Sequence, residues 1–175
     1  SLTINPSGNW IAIASGVKSL NYNDLEFEAE KTSQSQLIVW DWQSESFVYN
    51  QTGTGIGYTH ITECVAYSED GSTLASGGSD GKVKVWNTFT GNCIITFNEQ
   101  HKAAVTGIEY QPSSGGKVII SASLDGTIRA FDLHRFKNFR TLTTSSETLS
   151  AQFISLAVDT VSSDFIAAGA QNLFE

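Results

Sequence analysis

Short runs of β-branched and aromatic residues alternate with clusters of Gly, Asp, Asn and Ser along most of the chain, and no stretch carries the spacing of an amphipathic helix. Between residues 61 and 98 the pattern predicts four strands. They are ITECVAYS, TLASGG, KVKVWNT and CIITFN, with turns at Glu69-Asp70-Gly71, at Asp80-Gly81 and near Gly91-Asn92. Gly and Asp in these turns are hairpin chemistry, because tight β-turns need residues that tolerate positive φ. AVTGIEYQ, VIISAS, TIRAFDL and FRTLTT repeat the series. SLTIN, WIAIASG, QLIVWDW and FVYNQ form an earlier copy, and FISLAVD with DFIAAGA begin a later one.

The copies keep a fixed period. Trp40-Asp41, Trp86-Asn87 and Phe131-Asp132 each close a β-branched run and lie 46 and 45 residues apart. Asp80-Gly81 and Asp125-Gly126 repeat at 45 residues, with Ser76 and Ser121 four residues before each Asp. A repeat of roughly 40–45 residues built from four short strands is the signature of a propeller blade. The expected fold is therefore all-β, a β-propeller segment of about three and a half four-stranded antiparallel blades. The blade units are about 1–52, 53–98, 99–145 and an incomplete 146–175. The first unit is longer: Ile4 lies 36 residues before Trp40, whereas Tyr67, its equivalent, lies 19 before Trp86. The extra length falls between Gly16 and Gln34, in an acidic insertion over about 18–33. There Asp24, Glu26, Glu28 and Glu30 alternate with Leu25, Phe27 and Ala29, the composition of a solvated loop or a docking peptide.

Composition changes the picture mainly by exclusion. With 175 residues and 40% hydrophobic content the chain can bury a core, and 10 Lys+Arg against 18 Asp+Glu give a net charge of -8. That field disfavours wholesale coating of nucleic acid or anionic membrane. No apolar run approaches the length of a membrane span and the first residues lack a basic, then apolar, leader. A soluble, intracellular protein with no membrane partner is expected. Cys64 and Cys93 are too few for a disulfide framework and lack clustered histidines for zinc, so both are expected as small buried apolar residues and no metal site is expected. Methionine is absent, position 1 included, which points to an excised or processed piece of a longer chain.

The repeated Trp-Asp, Asp-Gly and Ser positions resemble the WD-repeat family across the whole chain. The resemblance implies a buried tetrad in each blade, in which His, Ser, Asp and Trp side chains satisfy one another's hydrogen bonds. In the third unit His101, Ser121 and Asp125 match, but Phe131 stands in place of Trp. In the second, Ser76, Asp80 and Trp86 match, while Gly57-Tyr58 stands where the family has Gly-His. The first unit has Gln34 at the turn-Asp position. Blades of uneven internal rigidity are expected. The stretches VWDWQSESFV, DGKVKVWNT, DGTIRAFDLHRFKNFRTL and AGAQNLFE are more similar to a ribosome-assembly branch of the family than to a generic repeat. That resemblance implies a nucleolar scaffold in the small-subunit processome, in its UTP-B subcomplex, acting in maturation of the 18S ribosomal RNA precursor. Its implied partners are other WD-repeat subunits of a large assembly and pre-ribosomal RNA. A generic WD-repeat adaptor for peptide partners in signalling or ubiquitin pathways is the alternative.

Catalytic chemistry finds little support. His60, His101 and His134 fall in unrelated contexts, and Gly53, Gly55 and Gly57 lack the following helix that a phosphate loop needs. Asn50-Gln51-Thr52 fits a glycosylation sequon without any sign of secretion. No enzyme, no cofactor and no small-molecule substrate are expected. One segment departs from the acidic background. Arg129, Arg135, Lys137 and Arg140 lie within twelve positions, opposed only by Asp132 and interleaved with Phe136 and Phe139. Arg129 shares a strand face with Phe131 and so is assigned to the blade. Arg135, Lys137 and Arg140 are the candidate contacts to RNA or to an acidic partner peptide, unless the hairpin is simply a solvated turn.

Overall fold

The computed structural model of the protein describes residues 1–16, 35–52, 61–143, 151–159 and 166–172. The acidic insertion, Gln34, the glycines at 53, 55 and 57, Tyr58 and His60 lie outside the described residues. Strands β1 (Leu2–Ile4), β2 (Trp10–Gly16), β3 (Ser35–Asp41) and β4 (Ser46–Thr52) form the first sheet, in chain order. The second holds β5 (Thr62–Tyr67), β6 (Thr73–Gly78), β7 (Val83–Asn87) and β8 (Cys93–Phe97). The third holds β9 (Val105–Tyr110), β10 (Val118–Ser123), β11 (Thr127–Asp132) and β12 (Lys137–Thr143). The fourth pairs β13 (Ala151–Val158) with β14 (Ile166–Asn172). All pairings are antiparallel. Among the described residues a single 3-10 turn, Pro112–Ser114, interrupts the β structure, and no helix is long and apolar enough to cross a membrane.

The sequence period becomes ladder register. Ile4 pairs with Ile11 and Ile11 with Trp40; Tyr67 pairs with Leu74 and Leu74 with Trp86; Tyr110 pairs with Ile119 and Ile119 with Phe131. In each four-stranded sheet the register slips just before that aromatic residue, between Val39 and Trp40, Val85 and Trp86, and Ala130 and Phe131. The turn beyond is built the same way three times. A side-chain oxygen accepts the backbone N–H groups two and three residues on: Asp41 from Gln43 and Ser44, Asn87 from Phe89 and Thr90, Asp132 from His134 and Arg135. This is the local bond that makes Asx residues turn formers. Four residues past each Asx, the backbone turns left-handed at Glu45, Gly91 and Phe136, with φ of 52°, 70° and 54°.

Successive sheets bury apolar faces against one another. Ala12, Leu37 and Val39 of the first meet Leu74 and Trp86 of the second. Val83, Val85 and Phe97 of the second meet Ile119 and Phe131 of the third. Ile120, Ala122 and Ile128 of the third meet Phe153 of the fourth. The second strand of a sheet is covered on both sides, so Leu74 faces backward and Ala75 forward, as do Ile119 and Ile120. Here the structure corrects the simple alternation read from sequence: β6 and β10 are buried almost continuously, because a strand sandwiched on both faces has no solvent side. The stack is also pinned by hydrogen bonds between sheets. Asn5 Nδ2 donates to the Gly71 carbonyl at 3.2 Å, the Thr73 and Tyr110 hydroxyls lie 2.9 Å apart, and Thr106 Oγ1 donates to the Phe153 carbonyl at 2.6 Å.

The two cysteines differ. Cys64 is buried on β5 with its thiol pushed up to about 12 by desolvation, as expected of an apolar-like residue. Cys93 is exposed, against expectation: β8 is the outermost strand of its sheet, and its first two residues face solvent among the described residues.

Candidate functional site

The third sheet carries a closed polar cluster. His101, in the segment entering β9, places Nε2 2.7 Å from Ser121 Oγ on β10 and Nδ1 3.0 Å from Asp125 Oδ2 in the β10–β11 turn. The Asp125 carboxylate also accepts the Lys102 amide at 2.9 Å, the Thr127 amide at 2.9 Å and the Thr127 hydroxyl at 2.6 Å. A carboxylate only accepts, so the network assigns the imidazole proton to Nδ1 and leaves Nε2 to accept from Ser121. Burial pushes the His101 imidazole below its ordinary value, with Asp125 working against that shift. Burial works the other way on Asp125, but the Thr127 hydroxyl, the Lys102 amide and His101 hold its carboxyl below the usual range. The cluster is therefore a neutral histidine on an ionised carboxylate. Arg129 Nε extends it by donating to Thr127 Oγ1 at 3.3 Å, which places Arg129 with the blade.

Ser–His–Asp in this order has the connectivity of a hydrolase triad. Chemistry at Ser121 is blocked by its surroundings: the residue is 0% exposed, and Phe131, also 0% exposed, sits on the same side of the sheet. A substrate carbonyl has no approach to Oγ, so the cluster works as internal bonding.

The second sheet holds a different part of the same pattern. Trp86 Nε1 donates to the buried Ser76 Oγ at 2.9 Å. Asp80, in the β6–β7 turn, accepts the Lys82 amide at 3.1 Å and has the Lys82 ammonium 3.2 Å from Oδ2. In the first sheet the ladder puts Ile13 at the position of Ser76 and Ser121, so Trp40 has no hydroxyl opposite it. Phe131 fills the tryptophan position of the third sheet and packs on Phe97 with ring centroids 4.6 Å apart.

The basic hairpin lies on the outside. Arg135 is in the β11–β12 turn with Nε 3.8 Å from Asp132 Oδ2, and Lys137 and Arg140 are exposed on β12. Phe136, Phe139 and Leu142 are exposed beside them. Among the described residues, no group of three or more His, Cys, Asp or Glu is placed to hold a metal ion.

The family model for the WD domain, G-beta repeat, matches residues 51–87 and 91–132. The chain belongs to the WD-repeat family. Its WD repeats are 45% identical to a periodic tryptophan protein 2 homolog of Dictyostelium discoideum over 172 residues, 98% of this chain and 16% of that protein. They are 44% identical to the Mus musculus homolog over 175 residues, 100% of this chain and again 16% of the relative. The chain thus spans about a sixth of the length of these relatives. The COMPASS component SWD3 of Saccharomyces cerevisiae is 27% identical over 165 residues, 80% of this chain and 50% of that protein.

Two kinds of residue in these WD repeats escaped the sequence reading. Thr127 closes the His101 cluster, and its signal was a hydroxyl two residues after the turn Asp, where the second unit has Lys82. Thr88, fully buried, ties the β7–β8 turn to the Gly71 and Ser72 carbonyls at 2.7 and 2.9 Å, and one lone threonine offers no pattern to find it by.

Proposed function

We propose that this chain is a non-catalytic scaffold segment of a nucleolar ribosome-biogenesis protein, acting in small-subunit processome assembly and maturation of the 18S ribosomal RNA precursor. The observation that carries this reading is similarity running the length of the chain to periodic tryptophan protein 2 homologs, at identities well above that to SWD3. The structure supports a scaffold role through its chemistry: His101 and Asp125 are bonded to each other and to Ser121 and Thr127, and the Ser121 hydroxyl is sealed. Contact with neighbouring WD-repeat subunits or pre-ribosomal RNA is assigned to the exposed β11–β12 hairpin, through Arg135, Lys137 and Arg140. Affinity purification of the full-length protein tests the proposal. Pre-ribosomal RNA and several other propeller proteins are expected to co-purify, and recovery of neither overturns it.

A further inference from the structure

Between β8 and the β11–β12 turn lies a groove of about 240 Å³. Val85, Ile94, Ile95 and Leu133 make it apolar, and Phe136 forms part of its lining. We propose that this groove docks an acidic peptide by taking up one large apolar side chain; it shares Arg135 and Lys137 with the hairpin assigned above, but does not require the partner to be a ribosome-assembly factor.

Phe136 supplies the first argument. It occupies the left-handed position of its turn, at φ 54°, where the second sheet uses Gly91 and the first Glu45. A bulky residue is disfavoured there because its Cβ crowds the backbone carbonyl. The ring is 52% exposed, so the strain is not offset by burial in a core. Strain held at an exposed aromatic beside an apolar groove points to a binding role for that ring.

Charge supplies the second. Lys117 lines the groove, and Arg135 and Lys137 flank Phe136, with Asp132 the opposing acid on the same turn. The whole chain carries -8, so this rim is a local exception that attracts an acidic partner. The floor of Val85, Ile94, Ile95 and Leu133 suits a leucine or phenylalanine anchor, and a competing oligouridine tests whether the Phe136 and His134 rings stack on bases instead.

Fluorescence anisotropy of the full-length protein with a fluorescein-labelled Glu-Asp-Leu-Phe-Glu-Asp-Glu peptide provides the test. Saturable binding that weakens with added salt is expected. Ile94→Glu and Phe136→Asn should each weaken it about tenfold. Asn tolerates the left-handed backbone, so Phe136→Asn removes the ring while easing the turn, and loss of binding in that variant cannot be laid to unfolding. A peptide with both apolar residues replaced by serine should not bind. The proposal fails if that peptide binds as well as the original, if Phe136→Asn leaves the affinity unchanged, or if oligouridine displaces the peptide from the groove.

Discussion

In the second sheet the buried Ser76 hydroxyl is met by an indole; in the third, Ser121 is met by an imidazole. Phe131, in the tryptophan position of the third sheet, packs on Phe97 of β8 with ring centroids 4.6 Å apart. Phe97 pairs with Val83, and the matching pairs in the first and third sheets are Leu37 with Gln51 and Ile128 with Leu142, so the outer-strand aromatic at this register belongs to the second sheet alone of the three. The indole donor is lost with the exchange, and the third sheet satisfies Ser121 through His101, Asp125 and Thr127 instead. Volume between blades and hydrogen bonding within a blade are thus separable requirements.

The largest effect should come from breaking the third sheet's cluster. His101→Ala leaves the Ser121 hydroxyl and the Asp125 carboxylate short of their buried partner and should cost about 3 kcal/mol, measured by urea unfolding of the full-length protein. The exchange itself can be tested next. Phe131→Trp should destabilise by about 1–3 kcal/mol through overpacking against Phe97, and adding Phe97→Val should recover much of that loss. Trp86→Phe, which makes the second sheet resemble the third without its histidine, should cost about 1–3 kcal/mol. If Phe131→Trp proves neutral alone, the two bulks do not compete.

A pH titration sharpens the comparison further. The His101 value is lowered on folding, so the unfolded state binds its proton more readily. The resulting stability is present above about pH 6.5, the unfolded value, and is lost as pH falls through the lower folded value. Asp125, also lowered, adds a second loss below its ordinary value near 3.8. Residues 61–97 contain no histidine. Hydrogen exchange should therefore show β9 and β10 amides losing protection between pH 7 and 5.5 while β5 and β6 change less, with the difference abolished in His101→Gln. The smallest effect on stability is expected at the outer strand. Reversing Arg135, Lys137 and Arg140 to Glu should cost less than about 0.5 kcal/mol each, since all three are exposed, yet reduce recovery of partners in the affinity purification. Unchanged recovery across a salt titration would make the hairpin a solvated turn only.

Sequence made the period legible because the aromatic, Asp and Ser positions recur at 46 and 45 residues, and the ladders place those same residues level with one another. It was less informative where one residue serves two neighbours. Ala75 and Ile120 point into interfaces that no single-strand pattern contains, so continuous burial of β6 and β10 had to be seen. Trp40-Asp41 and its repeats were read as punctuation, although their recurring Asx residue already implied the turn-closing bond found at all three. Phe136 could not be foreseen as left-handed, because aromatic residues carry no such preference. Cys93 was misjudged because residue type reports average burial, not position on an outer strand.

The close fit at Gly81 limits where this protein can be cut or extended. A Cβ built on Gly81, at φ 75°, would lie 2.6 Å from the His101 carbonyl oxygen, so the β6–β7 turn of one sheet is moulded onto the strand entry of the next. At Gly115, by contrast, a Cβ would meet nothing within 4 Å. An epitope tag or split-protein junction placed at Gly115 has open solvent to enter, while the same insertion at Gly81 would lever against the segment that positions His101 and loosen a blade it does not belong to.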